Sequence, residues 1–148
     1  MPVRRERVKQ AMDAVIASRL EPGETIQAEV LCLKGPNPWL TAGILGLIGW
    51  LLTKYYYVVV TEKRVLFERS TFWWGNRPKG LESTDPRSSV SLIEHKPGNV
   101  WGHFTIKRAD GSEWKLWVHR FWRDDGDKVA QVLGQTAPAA GGAQGVSS

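Results

Sequence analysis

Residues 55–69 read YYYVVVTEKRVLFER, two apolar runs separated by three charged residues. The apolar runs are rich in aromatic and β-branched side chains, which favour strands, and Glu62-Lys63-Arg64 between them has the composition of a turn. This stretch therefore predicts a β-hairpin built from two buried strands.

A run without any charged residue, Trp39 to Thr53, lies directly before the hairpin. We predict an inserted apolar helix over residues 38–53, which at 1.5 Å per residue is shorter than the roughly 30 Å hydrocarbon core of a membrane. Extension of this helix through Lys54 to Tyr57 gives about 20 residues, enough to cross. Three alternatives follow: the segment dips into the membrane interface, folds over the domain's own core, or spans the membrane.

A strand before the apolar run bears on this choice. Thr25 to Leu33 alternates loosely between apolar and polar side chains, which predicts a strand. If this strand joins the hairpin in one sheet, both ends of the apolar run lie on the same side of any membrane. A single crossing therefore requires the prediction of this strand to be wrong.

Residues 1–20 carry an apolar stripe of helical spacing among basic residues, which predicts an amphipathic N-terminal helix. The stripe consists of Val8, Met12, Val15, Ile16 and Leu20. Such a helix can lie on a membrane surface, and the alternative is a helix docked on its own domain. The charged N-terminus is not followed by an apolar stretch typical of a signal peptide, so we do not expect export.

Bulky aromatic residues recur after the first hairpin. Residues 72–78 contain Trp73 and Trp74 among loop-forming residues, and with Arg77 and Lys79 they would suit an interface between water and lipid. The alternative is burial against the domain. Two further strands are predicted at residues 79–83 and 90–95, separated by a turn at Asp85-Pro86-Arg87.

Residues 101–119 predict a second hairpin around Ala109-Asp110-Gly111, because three-residue loops commonly end with glycine in the left-handed conformation. Position 108 then faces position 112. In that register one face is apolar and the other carries polar residues together with Trp117. The apolar face consists of Phe104, Ile106, Trp114, Leu116 and Val118.

A closing helix is predicted from Phe121 onward, ending at Gly134, with Asp124, Asp125 and Asp127 near its positive end. Its inward-facing residues are expected to be Val129, Val132 and Leu133. Residues 135–148 lack charged and aromatic side chains, which predicts a disordered tail. The expected organisation is an N-terminal helix (1–20), one domain (21–134) and this tail.

This order of elements resembles the bacterial pleckstrin-homology-like (PH-like) domains over roughly residues 20 to 134. The resemblance is carried by Leu20-Glu21-Pro22-Gly23-Glu24, by YVVVTEKRVL at residues 57–66 and by Arg87-Ser88-Ser89-Val90. It implies a mainly β (α+β) fold, with a bent antiparallel sheet forming a partly open barrel and a C-terminal capping helix. It also implies a non-enzymatic module, and several members have membrane-embedded segments before the strand that corresponds to residues 55–61.

Phosphoinositide-binding PH domains carry a run of basic residues across their first two strands. The corresponding region here is apolar, with only Lys34 and Lys54. We therefore do not expect recognition of inositol lipids.

Composition and spacing support neither a cofactor nor a metal site. A single cysteine, Cys32, excludes an internal disulfide framework and indicates a reducing compartment. Residues 75–80 have the glycine spacing of a phosphate loop, but Leu81-Glu82 replaces its Lys-Ser/Thr pair. His103 and His119 share the polar face of the second hairpin without a third ligand placed by spacing. We expect no catalytic residues and no cofactor.

Most of the positive charge is local, because residues 54–80 hold six basic and two acidic residues, +4 of the total +5. The leading hypothesis is a non-catalytic module at the cytoplasmic face of the cell membrane, held by the apolar helix and attracted to anionic lipids by this basic cluster. The alternative is a soluble module that uses the apolar helix to bind a protein or itself. Nucleic acid is not the expected partner, since most tryptophans fall outside the basic cluster. The predicted contact residues are Trp39, Ile44, Leu47, Ile48, Trp50, Leu51, Lys54, Lys63, Arg64, Arg69, Trp73, Trp74, Arg77 and Lys79.

Overall fold

Seven strands and two long helices make up the computed structural model of the chain, which describes residues 2–35, 46, 53–70 and 78–135. Short 3-10 turns cover Arg87–Ser89 and Arg120–Trp122. The helices and strands are, in chain order, α1 (Pro2–Ala17), β1 (Ile26–Lys34), β2 (Lys54–Thr61), β3 (Arg64–Ser70), β4 (Pro78–Pro86), β5 (Ser91–Lys96), β6 (Trp101–Lys107), β7 (Glu113–His119) and α2 (Arg123–Gln135).

All seven strands pair in one antiparallel sheet in the order β4-β3-β2-β1-β7-β6-β5. The sheet is not closed, so β4 and β5 form its edges. β1 joins the two halves of the sheet, β2 to β4 on one side and β5 to β7 on the other. It pairs with β7 only at Leu33 and Lys34, opposite Trp117 and Leu116. Helix α2 contacts both β1 and β5 and so packs across the two halves. The predicted mainly β (α+β) class, with an antiparallel sheet and a C-terminal helix, is confirmed.

The first hairpin is confirmed, with β2 and β3 joined at Glu62 and Lys63. The strand predicted at residues 25–33 is also present as β1, and it pairs along β2 up to Lys34 opposite Lys54. The extension of the apolar helix to Tyr57 is wrong, because β2 already begins at Lys54. Tertiary pairing with two neighbouring strands holds these aromatic and β-branched residues in extended backbone.

The pairing of Lys34 with Lys54 also excludes a single membrane crossing by the segment between them. The segment leaves the sheet and returns to it at directly opposite residues, so both of its ends lie on one side of any membrane. Of the helix predicted over 38–53, only Gly46 and Thr53 are among the described residues, and Thr53 precedes β2 in non-helical backbone.

The second hairpin has the predicted register. Lys107 pairs with Glu113, and Arg108 N–H donates to the Ser112 carbonyl at 2.8 Å. Gly111 has φ +89°, the left-handed conformation that the loop requires. The predicted apolar face is buried throughout, at Phe104, Ile106, Trp114, Leu116 and Val118.

Several predicted boundaries are wrong. The closing helix begins at Arg123, after a 3-10 turn, and not at Phe121. The turn expected at residues 85–87 begins only at Arg87, because Pro86 still belongs to β4, an edge strand in which a missing N–H is tolerated. The strand expected at 90–95 is shifted by one residue to β5. Gly134 does not end α2, which continues to Gln135, since one glycine weakens a helix by only about 1 kcal/mol.

Both helices contribute buried side chains to the core. Helix α1 buries Val8, Met12 and Ile16 against the rest of the domain, so it is docked on its own domain, and it ends at Ala17. Helix α2 buries Val129 and Leu133 completely. Residues 136–148, which include most of the predicted tail, lie outside the described residues.

Candidate functional site

The two connections with the most aromatic and apolar residues leave the sheet at the same end. Residues 36–52 connect β1 to β2, and residues 71–77 connect β3 to β4. We call this the loop end, defined by the last residues of β1 and β3 and the first residues of β2 and β4, which are Lys34, Ser70, Lys54 and Pro78.

Strand pairing fixes how close the bases of these connections are. Lys34 lies opposite Lys54, the neighbouring Tyr55 lies opposite Ser70, and Ser70 lies opposite Pro78. Adjacent strands are about 4.8 Å apart, so the four chain ends span only about 15 Å. The structure therefore attaches both segments side by side.

Most of the predicted contact residues belong to these two segments and lie outside the described residues. They are Trp39, Ile44, Leu47, Ile48, Trp50 and Leu51 in the first segment, and Trp73, Trp74 and Arg77 in the second. Lys79 is the second residue of β4, next to the loop end.

Two lysines provide positive charge where the first segment leaves and rejoins the sheet. Lys54 is exposed, and the ammonium of Lys34 lies 4.4 Å from the centroid of the Trp114 ring. No ion pair joins either lysine to an acidic residue in the described part of the chain. Lys34 is not among the predicted contact residues, although its position before the apolar run mirrors that of Lys54 after it.

Arg69 also lies near the loop end, but its charge is neutralised. Its guanidinium is 3.3 Å from one carboxylate oxygen of Glu82, and the other oxygen accepts a hydrogen bond of 2.7 Å from the Tyr56 hydroxyl. Burial raises the pKa of Glu82, but the hydrogen bonds from Tyr56 and Arg69 outweigh it, and the pKa is lowered overall. Glu82 therefore stays ionised and offsets Arg69.

The structure does not bring Lys63 and Arg64 to the loop end. They lie at the opposite end of the first hairpin, about 24 Å from Lys54 at 3.4 Å per strand residue. Arg64 donates two hydrogen bonds of 3.0 Å to the buried carboxylate of Glu24 and another to the carbonyl of Arg19. Arg64 thus ties the residues after α1 to the hairpin turn, and Lys63 is exposed beside Glu21 at 3.4 Å.

Hydrogen bonding from Arg64 also sets the ionisation of Glu24. It lowers the pKa of Glu24 to about 2, against the opposing effect of burial and with a further contribution from the Thr61 hydroxyl. A charged carboxylate is the stronger acceptor for a guanidinium, so the pair is held by charge-assisted hydrogen bonds.

The histidines do not form a second site of the kind considered from spacing. His103 is 3.2 Å from Glu94 and packs against Trp117, whereas His119 packs between Trp101 and Phe121. In the described residues no group of three or more His, Cys, Asp or Glu side chains is arranged to hold a metal ion. Cys32 is fully buried, and burial raises the pKa of its thiol.

Helices that combine the length and apolar character needed to cross a membrane are absent from the part of the chain that the structure describes. Comparison of the whole sequence with models of known protein families and with curated proteins gives no match.

Proposed function

We propose that this chain is a non-catalytic PH-like module that binds the cytoplasmic surface of the cell membrane through its loop end. The observation that carries the proposal is the attachment of segments 36–52 and 71–77 side by side, with Lys34 and Lys54 at the base of the first. Apolar and aromatic side chains from both segments would enter the interface together, and the lysines would face the lipid headgroups.

The PH-like assignment rests on the resemblance of the sequence and is supported by the connectivity. Strands β1 to β4 and β5 to β7 form two consecutive meanders, with β1 adjoining both, and α2 packs across them. The resemblance implies a bent antiparallel sheet that forms a partly open barrel with a C-terminal capping helix, and the open antiparallel sheet with α2 packed on it supports this expectation. One fold serves many activities, so the loop end, and not the fold, supports the proposed function.

Insertion into one leaflet fits the loop end better than deeper penetration. The first segment has 17 residues between 36 and 52 and must return to a point opposite its start. Backbone in lipid must satisfy its own hydrogen bonds, so an out-and-back helical path reaches only about 13 Å, less than half of the hydrocarbon core. That depth suits interfacial anchoring.

Apolar contacts are expected to dominate the binding free energy. Full burial of a large apolar side chain contributes roughly 1.5 to 3 kcal/mol before ordering costs, whereas a lysine near an anionic surface contributes about 1 kcal/mol. The first segment alone contains Leu45, Leu47, Ile48, Leu51 and Leu52. Salt should therefore weaken binding without abolishing it, because it screens only the charged contribution.

Flotation with lipid vesicles tests the proposal. The full chain is mixed with vesicles of phosphatidylcholine, with or without phosphatidylglycerol, and its recovery with the lipid is measured at low and high salt. We expect the wild-type chain to float with both, and more with the anionic lipid. Leu47→Asp with Ile48→Asp should abolish recovery, because two carboxylates would have to enter the interface.

Phe121→Asp provides the matched control for these substitutions. Phe121 is also a large apolar side chain, 45% exposed, but it follows β7 away from the loop end. We expect this variant to float like the wild type. A wild-type chain that stays in the aqueous fraction with every vesicle, and self-associates through residues 47 and 48, would instead establish the alternative of a self-association module.

A further inference from the structure

Beneath α1, three buried polar atoms from three elements lack hydrogen-bond partners within the described residues. They are a carboxyl oxygen of Asp13 on α1, a carboxyl oxygen of Glu29 on β1 and the hydroxyl of Tyr57 on β2. The Glu29 carboxyl lies beside both of the others. Two acidic side chains thus meet at the interface between α1 and the sheet.

The charge of Lys9 lowers the pKa of Glu29, but it does not cancel the opposing effects of burial and of Asp13. Lys9 on α1 lies 3.8 Å from Asp125 on α2, so its charge is shared with a third carboxylate. Arg19 is 2.9 Å from the buried Glu68 on β3, which sits opposite Tyr57 in the sheet. Both of these cations therefore already face an acidic partner.

A shared proton would replace the repulsion between the Asp13 and Glu29 carboxyls with a hydrogen bond. Two ionised carboxylates repel each other strongly where water is excluded, and neither can donate a hydrogen bond. With one proton the pair becomes a donor and an acceptor, as when two carboxyl groups share one site. Burial, followed by the neighbouring Asp13 carboxyl, raises the pKa of Glu29 to about 8.

We propose that one proton shared between Asp13 and Glu29 holds α1 on the sheet, so that α1 detaches more readily as the pH rises. Detachment would uncover the apolar side chains of Val8, Met12 and Ile16 on a helix rich in basic residues, together with Tyr57 on the sheet. The device lies at α1, away from the loop end, and does not depend on membrane binding.

The pH range follows from the direction of the shift. In the detached state Glu29 takes its ordinary pKa of 4.5, and in the docked state the pKa is about 8. A raised pKa in the docked state means that docking binds a proton, so the proton's contribution is complete below pH 4.5 and is lost progressively up to pH 8. Above pH 8 docking should become independent of pH.

Hydrogen exchange of the full chain, followed by mass spectrometry from pH 5 to 9, tests the proposal. Exchange is corrected at each pH for the intrinsic chemical rate, so that the protection of α1 reports its local opening. We expect protection of α1 to fall by up to about tenfold per pH unit between pH 5 and 8 and then to level off. Protection of α2, measured in the same samples, should not follow this profile.

Two conservative variants separate the shared proton from other titrations. Glu29→Gln removes the titrating group but keeps a donor and an acceptor, so α1 should stay docked with a flat pH profile. Asp13→Asn removes the neighbouring charge but leaves Glu29 buried, so the fall in protection should end at a lower pH than in the wild type. Glu113→Gln, at an exposed position of β7, is the control and should keep the wild-type slope. A wild-type profile that is flat, an unchanged wild-type profile in either variant, or an equal slope in α2 would overturn the proposal. If one variant fails to fold, the other and the wild-type profile still decide.

Discussion

Lys34 and Lys54 are direct partners across β1 and β2, although 19 residues separate them in the sequence. Like charges directly opposite in a sheet are unfavourable. The Lys34 ammonium lies over the Trp114 ring at 4.4 Å, and Lys54 remains exposed. Under the proposed function, an anionic surface at the loop end would relieve this repulsion.

The charge of Lys54 should contribute to binding of anionic vesicles. We expect Lys54→Gln to weaken binding about fivefold at low salt, equivalent to about 1 kcal/mol, and to reduce its salt dependence. Lys63→Gln is the matched control, because Lys63 is also exposed but lies at the other end of the hairpin. Vesicle titration measures both, and equal weakening by the two substitutions would argue against an oriented contact.

Ion pairing of Glu24 with Arg64 should make folding stability depend on acid pH. The pKa of Glu24 is lowered from 4.5 to about 2 in the folded chain, so the contribution is present above pH 4.5 and is lost as the pH falls towards 2. Because Arg64 is partly exposed and solvent screens it, we expect a loss of about 1 to 2 kcal/mol. Urea unfolding at several pH values measures it, and Glu24→Gln should show a smaller acid-dependent loss.

Substitution of Gly111 should reveal backbone strain without a steric clash. Gly111 has φ +89°, and an added Cβ would meet nothing within 4 Å. Gly111→Val should therefore destabilise the fold by about 1 to 2 kcal/mol. Gly111→Asn should cost less, since asparagine tolerates the left-handed conformation. Equal unfolding midpoints for wild type and Gly111→Val would contradict the strained turn.

Helix α2 should be an integral part of the core. Leu133 is fully buried, and Leu133→Ala should lower the free energy of unfolding by about 2 to 4 kcal/mol. Val132→Ala, at a half-buried position next to it, should have a clearly smaller effect. A melting temperature unaffected by Leu133→Ala would mean that α2 is not docked in solution.

Local sequence patterns predicted the strands and the second hairpin because these depend on neighbouring residues. The alternation around Gly111 fixes the register of 108 opposite 112, and the β-branched run before Glu62 identifies β2. Local patterns predict boundaries poorly where pairing between strands decides them, as at Pro86, which an edge strand accommodates.

Contacts between distant residues could not be predicted in this way. Arg64 pairs with Glu24 from 40 positions away, and Asp13 meets Glu29 only because α1 packs against the rest of the domain. Counting charge along residues 54–80 grouped Lys63 with Lys54, whereas the hairpin places them at opposite ends. Periodicity shows which face of an element is apolar, but not which charged side chains meet across elements.

A polarity-sensitive fluorophore attached at position 48 tests the insertion of the loop end most directly. Ile48→Cys is labelled with nitrobenzoxadiazole, and Phe121→Cys is labelled in the same way as the control. The native Cys32 should not react with the label, because it is fully buried and its thiol pKa is raised. On addition of anionic vesicles, we predict a blue shift at position 48 and quenching by spin-labelled acyl chains, with neither at position 121. No change at position 48, or the same change at both positions, would contradict membrane binding through the loop end.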